Sequence, residues 1–181
     1  MIHFVLGGAR SGKSSYAESQ VLQCVTGTGA AEAAKPCWYV ATAEALDNEM
    51  QQRILHHQNG RQSDAIAWQT IECPLELTQA LQSHATNDSV ILVDCLTLWL
   101  SNHLFRENND WQQVKSDFLQ GLAKLPGTVI LVSNEVGCGI VPMGEISRRF
   151  VDEAGWLHQD IAAIADKVTL VTAGLPLHLK G

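Results

Sequence analysis

Positive charge is scarce in this chain. It has 12 Lys and Arg against 19 Asp and Glu, a formal net charge of -7. A nucleic-acid binder normally carries a basic patch or stripe, so that class is excluded, although a local basic pocket for phosphates is not. Paired cysteines are also missing. Cys24, Cys37, Cys73, Cys95 and Cys138 are odd in number, widely spread and form no C-x-x-C. This excludes a zinc site and reads as reduced thiols of a cytoplasmic protein, mostly small core residues. No basic n-region opens the chain and its first apolar run ends at Gly7, so no signal peptide is expected. The most apolar stretch, Val90 to Leu100, is short and carries Asp94, so no membrane span is expected. There is no repeat, low-complexity tract or linker. With 181 residues, 46% of them apolar, one folded domain covering 1–181 is expected.

Against these absences stands Gly7-Gly8-Ala9-Arg10-Ser11-Gly12-Lys13-Ser14, which matches G-x-x-x-x-G-K-[ST] at every fixed position. Such a loop wraps a nucleotide's phosphates in backbone N–H groups. Lys13 would reach the β- and γ-phosphates, and the Ser14 hydroxyl would ligate Mg²⁺. Glycine is required because a side chain would hold the phosphate off the backbone and oppose positive φ. The flanks suit the motif: Ile2 to Leu6 is a short apolar run, and Ser14 to Cys24 reads as a helix without Gly or Pro. The loop specifies a nucleoside triphosphate, but not which base.

Further along, Val25 to Pro36 reads as a surface loop and Cys37 to Thr42 as a strand. Ala41-Thr42-Ala43 leaves that strand at the ligand-bearing edge. Leu46 to His57 reads as a helix capped by Asp47, with Met50, Ile54 and His57 at i, i+4, i+7 and Arg53 and His56 on the adjoining face. Asn59-Gly60 is a turn signal. A strand over Ala65 to Glu72 and a helix opening at Pro74 and running to His84 follow. Ser89 to Val93 is a very apolar strand closed by Asp94, whose carboxylate could join a Mg²⁺ shell. Helices are expected over Leu96 to Phe105, Asp110 to Leu125 and Glu145 to Asp166, with Gly155 against the last. Strands are expected over Thr128 to Val132, Lys167 to Thr172 and Leu177 to Lys180. Two glycines and polar residues in Ser133 to Pro142 suggest a binding loop. Alternating strands and helices mean an α/β fold with a mainly parallel sheet.

Separated blocks of the chain resemble the bifunctional adenosylcobinamide kinase/adenosylcobinamide-phosphate guanylyltransferase family of cobalamin biosynthesis. Beside the phosphate loop these are Ala41-Thr42-Ala43, Asp47, Glu49-Met50, Arg53-Ile54, His56-His57 and Gly60-Arg61. Then come Trp68 with Glu72, Asp94-Cys95-Leu96-Thr97 with Asn102, and Asn134-Glu135-Val136-Gly137 through Gly139-Ile140-Val141-Pro142. Arg148, Phe150, Asp152, Gly155, Ala165-Asp166 and Gly174-Leu175-Pro176 complete the set. The resemblance implies a P-loop NTPase (RecA-like) fold, a mainly parallel central sheet flanked by helices with a short C-terminal antiparallel hairpin. It implies two reactions: ATP or GTP phosphorylates adenosylcobinamide, and GTP then gives GMP to adenosylcobinamide phosphate through a covalent guanylyl-histidine. By motif that histidine is His56. It places Ala41-Thr42-Ala43, Gln58, Asn59, Gly60, Arg61 and Glu72 around the nucleotide, beside the Mg²⁺ that Ser14 and Asp94 are expected to hold there. It also implies a homo-oligomer, a trimer. The chain departs from the pattern in a longer Val25 to Pro36 loop and in His158, where an Asn is common.

Plainer readings stand beside these. His57 is a polar residue near a helix end, and His3, His84, His103, His158 and His178 lack a partner pattern. Glu72 could be a surface acid, and Arg148-Arg149 a solvated helix face. Glu135 could contact substrate or shape its loop. Leu96, Leu98, Trp99 and Leu100 are core or subunit interface before they are a corrinoid pocket. Competing functions are a simple small-molecule kinase that never guanylylates itself, and a GTPase switch or RecA-like motor. No N-K-x-D segment supports a switch, and the acidic balance opposes a nucleic-acid motor.

Overall fold

A computed structural model describes residues 1–26, 35–44 and 66–181. The expected Leu46 to His57 helix, the Asn59-Gly60 turn and most of the Val25 to Pro36 loop lie outside the described residues. Seven strands form one sheet: β1 Ile2–Gly7, β2 Cys37–Ala41, β3 Trp68–Glu72, β4 Val90–Asp94, β5 Thr128–Asn134, β6 Lys167–Thr172 and β7 Leu175–Lys180. Their order is β3-β2-β4-β5-β1-β6-β7, all parallel except the β6/β7 pair. Among the described residues there are five helices: α1 Lys13–Thr26, α2 Leu77–His84, α3 Leu96–Leu104, α4 Trp111–Leu122 and α5 Glu145–Ile164. This is the expected P-loop NTPase (RecA-like) layout with its C-terminal antiparallel hairpin. β5 stands between the strand that feeds the phosphate loop and the strand that ends in Asp94.

The central strands are apolar on both faces because both are covered. Ile91 and Val93 of β4, with Phe4, Val129 and Leu131, join Leu77, Trp99, Phe118, Leu157 and Ile161. Alternate residues Leu92, Val5, Ile130 and Val132 join Ala17 and Val21 of α1. A period of two along each strand thus feeds two cores. The carboxylate of buried Glu153 is matched. Trp111 Nε1 donates to Glu153 Oε2 at 2.9 Å, and Gln112 Nε2 donates to Glu153 Oε1 at 3.0 Å. Leu96, Trp99 and Leu100 are wholly buried, so they are core rather than a ligand surface.

Several boundaries differ from the sequence expectation, β3 beginning at Trp68 and α4 ending at Leu122 among them, and three more have a visible cause. α2 starts at Leu77, not Pro74. Cys73 N still donates to Ala41 O, which extends the strand-like path. The next carbonyls are claimed by α3 side chains: Pro74 O accepts from Asn102 Nδ2, and Leu75 O from Trp99 Nε1. β5 continues to Asn134, since Gly7 of β1 remains its partner there. β7 begins at Leu175, where Pro176 is tolerated because this is an edge strand. The helix runs through Gly155, where an added Cβ would meet nothing within 4 Å.

His3 of β1 couples this core to pH. It is 2% exposed, and its Nε2 lies 2.9 Å from Thr169 Oγ1. Burial, with help from nearby Lys167 and His178, lowers its pKa from 6.5 to about 4. Between those values the unfolded chain holds the extra proton, so His3 stabilises the fold above pH 6.5 and that contribution is lost as pH falls toward 4. His3→Gln should flatten the stability-versus-pH slope in that window by up to about 1.4 kcal/mol per pH unit. Denaturant titrations at stepped pH would show it; an unchanged slope would refute the assignment.

Candidate active site

The phosphate loop bridges β1 and α1. Gly7 is buried, and a Cβ there would collide with the Ser11 side chain and sit 2.6 Å from Val171 O. Arg10 and Gly12 take positive φ, 55° and 93°. A Cβ on Gly12 would also press on Gly174 Cα at 3.1 Å. Two outside groups fix the loop: Glu135 N donates to Gly7 O at 3.0 Å, and Gly174 N donates to Ser11 O at 2.8 Å. The hairpin turn between β6 and β7 is therefore part of the site's frame. Lys13 is 8% exposed, and its Nζ donates to Gly8 O at 3.1 Å, folded back over the loop. Ser11 Oγ is buried and has no hydrogen-bond partner among the described residues. Gly8, Ala9 and Arg10 are exposed on the rim. The first turn of α1 adds the positive end of its dipole, so loop and helix together suit an anion.

The sheet brings the other candidates to the same edge. Glu72, Ala41 and Asp94 pair in one row across β3, β2 and β4. Gly7 pairs with Asn134 on β5, two residues beyond Val132, the partner of Asp94. Asp94 is two strands from the phosphate loop, about 10 Å, and Glu72 is four strands away, about 19 Å at normal strand spacing. Asp94 Oδ2 accepts from Tyr39 Oη at 3.2 Å. Glu72 is exposed. Thr42 is fully buried and its hydroxyl is consumed internally. It donates to Cys95 O at 2.6 Å and accepts from Cys95 N at 2.9 Å. Asn102 Nδ2 donates to Thr42 O and to Pro74 O, which ties the exits of β2 and β3 together. His56, Gln58, Asn59, Gly60 and Arg61 lie outside the described residues.

Ser14 and Asp94 are oxygen donors of the kind a hard divalent cation takes, one or two protein oxygens completed by phosphate and water. No cluster of three or more His, Cys, Asp or Glu suited to a metal occurs among the described residues. Burial pushes the Cys95 thiol up to about 11, so it stays protonated beside Asp94. Glu135 shapes its own loop: its carboxylate accepts from Gly137 N at 2.6 Å and Cys138 N at 3.1 Å. Partial burial disfavours its charge, but those donors prevail and hold its pKa below the ordinary value. Arg148 is exposed and donates to Pro142 O and Met143 O, a local brace; Arg149 is exposed as well.

Sequence reasoning missed three features. Gly174 anchors the loop, Thr42 and Asn102 brace the strand exits, and a line of hydrogen bonds joins Thr97, Ser133 and His158. A polar residue inside an otherwise apolar strand, Ser133, was the available signal for the last.

The family model for cobinamide kinase / cobinamide phosphate guanyltransferase matches residues 3–179. A bifunctional adenosylcobalamin biosynthesis protein CobP of Pseudomonas aeruginosa is 48% identical over 184 residues, covering 100% of this chain and 98% of that protein. The CobU proteins of Salmonella typhimurium and Escherichia coli, described in the same words, are 37% and 34% identical, each covering 99% of this chain and 100% of theirs. Among solved structures, the P4 protein from bacteriophage phi13 overlaps with a TM-score of 0.46 at 14% identity, over 97% of this chain and 52% of that one, a likeness too slight to inform function. With a phosphate loop in its strand-and-helix setting and a match running almost end to end, the chain belongs to the cobinamide kinase / cobinamide phosphate guanyltransferase family of bifunctional enzymes.

Proposed function

We propose that this chain, as a single cytoplasmic domain, carries out both reactions of its family on adenosylcobinamide. In the first, ATP or GTP gives its γ-phosphoryl group to the substrate hydroxyl. In the second, a ring nitrogen of His56 attacks the α-phosphorus of GTP. A P–N bond forms, the bond from the α-phosphorus to the bridging oxygen breaks, and pyrophosphate leaves. An oxygen of adenosylcobinamide phosphate then attacks the same phosphorus, the P–N bond breaks, and adenosylcobinamide-GDP is released. The observation that carries this reading is the near end-to-end family match with the phosphate loop at the sheet's ligand-bearing edge.

The chain's own groups have distinct tasks. Backbone N–H groups of Gly8 to Lys13 cradle the phosphates, and Lys13 Nζ exchanges Gly8 O for a phosphate oxygen. The orphaned Ser11 hydroxyl gains a partner at the same time. Ser14 and Asp94 would hold Mg²⁺, and the ion would spread the negative charge of a bound triphosphate. Ala41-Thr42-Ala43 offers its backbone to the nucleotide, because the Thr42 hydroxyl is already spent on Cys95. Glu72, at the far end of the row, is placed for the nucleoside rather than the phosphates that Lys13 holds. Gln58, Asn59, Gly60 and Arg61 complete the nucleotide contacts, as the family motif assigns them.

The chain acts as a homo-oligomer, a trimer. β7 supports this: it is an edge strand whose Leu175, Leu177 and Leu179 are 72%, 58% and 56% exposed. A bare apolar edge of that kind asks for a partner.

Incubation with GTP labelled at the α-phosphate tests the covalent step. Label should remain on the protein through alkali and leave in acid, as a phosphoramidate does, and His56→Ala should abolish it while sparing much of the kinase step. An unlabelled wild type would favour a simple small-molecule kinase; equal labelling of the variant would reassign the nucleophile. Lys13→Ala should slow phosphorylation of adenosylcobinamide by about 10²- to 10³-fold. Its melting temperature should hardly move, since the hydrogen bond it gives up is to the loop's own Gly8 O. Near-normal turnover would remove Lys13 from the site. Light scattering should give three times the 19.7 kDa chain mass, and a monomer would refute the trimer.

A further inference from the structure

The end of β5 carries a line of buried and half-buried hydrogen bonds that the roles above leave unused. β4 stops at Asp94, level with Val132, so Asn134 N–H has no strand partner on that side. It donates instead to Thr97 Oγ1 at 2.6 Å. Thr97 Oγ1 lies 3.0 Å from Ser133 Oγ, which lies 2.8 Å from His158 Nε2 on α5. Thr97 and Ser133 are buried, and the His158 ring packs on Phe4 of β1 with centroids 5.5 Å apart.

The tautomer of His158 orients the line. Each hydroxyl has one proton to give, and Thr97 already accepts from Asn134. With a lone pair on His158 Nε2, Asn134 donates to Thr97, Thr97 to Ser133, and Ser133 to the ring. Every bond then points the same way, and each strengthens the next. Burial keeps that ring neutral, with its pKa lowered to about 4 even though the charge of Glu135 pulls upward. The other end of the line meets the phosphate loop. Asn134 pairs with Gly7 in the sheet, and Glu135 N donates to Gly7 O.

We propose that His158 is a positioning residue for triphosphate binding. Through Ser133 and Thr97 it fixes Asn134 and Glu135, and with them the Gly7 end of the phosphate loop. It touches no substrate. The inference rests on Gly7 to Ser14 being the triphosphate site.

Two substitutions separate positioning from packing. His158→Phe keeps a ring against Phe4 but removes the acceptor, whereas His158→Asn offers an amide oxygen to Ser133. Equilibrium binding of GTP with Mg²⁺ to the intact chain, and KM and kcat of the kinase step, are the measurements. His158→Phe should weaken GTP binding about tenfold, because the free chain relieves the orphaned Ser133 hydroxyl by letting Asn134 and the loop shift, and binding must reverse that shift. KM should rise in parallel with kcat nearly unchanged, and His158→Asn should recover most of the loss. Ser133→Ala, a smaller change, should weaken binding alone and add little on top of His158→Phe. A His158→Phe protein that binds GTP like wild type but melts earlier would reduce His158 to packing and overturn the proposal. So would failure of the Asn variant to improve on Phe. If His158→Phe does not fold, undiminished GTP binding by Ser133→Ala decides against the proposal. A wild type that does not bind GTP with Mg²⁺ would overturn the phosphate-site reading itself, and this inference with it.

Discussion

The close approach of bare backbone at Gly7 is the constraint on which the site depends. Phosphate recognition by N–H groups needs a loop with no side chains in the way, yet such a loop has little packing of its own to hold it. Here rigidity is supplied from outside. Glu135 N on the β5 exit and Gly174 N in the C-terminal turn each donate to a loop carbonyl, while Val171 and Ser11 close the space a Cβ at Gly7 would need. The antiparallel hairpin, whose second strand β7 is exposed throughout, is thereby tied to the site. The sheet order follows from the same need: both anchoring segments flank β1, on β5 and β6.

A second frame stands at the other half of the edge. The exits of β2, β3 and β4 would splay under the sheet's twist if left to themselves. Thr42, buried to 0% exposure, and Asn102 join all three through four hydrogen bonds to Cys95, Thr42 and Pro74. This explains why a threonine sits in a segment expected to meet the nucleotide. Its side chain faces inward and sets the height of Ala41 and Ala43, and the backbone is what remains for a ligand. A residue can thus belong to a binding motif without contacting the ligand through its side chain.

The fold was legible because its signals are local. Glycine spacing, an apolar run before it and an unbroken helix after it fix β1, the loop and α1, and the very apolar run before Asp94 fixes β4. What was illegible depends on pairs distant in sequence. Nothing near Pro74 announces that Asn102 and Trp99 will claim the carbonyls that would open a helix there. Nothing near Gly174 announces that it presses against Gly12, 162 residues away in the chain and 3.1 Å from where a Cβ would stand. His158 looked partnerless because its partner, Ser133, is a small polar residue in an apolar strand, a weak signal by itself. The phosphate loop and the row of Glu72, Ala41 and Asp94 lie along one sheet edge, whereas the residues around His56 fall outside the described part of the chain.

The geometry of the edge also bears on how one site could serve two reactions. Phosphorylation requires an acceptor in line with the γ-phosphorus, and guanylyl transfer requires a nucleophile in line with the α-phosphorus. The frame that holds the phosphates is pinned at Gly7, Ser11, Thr42 and Asn102, by groups that are buried or bonded across strands. Sliding it between two registers would break several of those bonds at once, each left unmade in a partly desolvated place. If both reactions use this edge, the change of step falls to the nucleotide's own pose and to the group that attacks it. Two chemistries then need no second phosphate loop: one rigid cradle suffices if the attacking groups approach different phosphorus atoms.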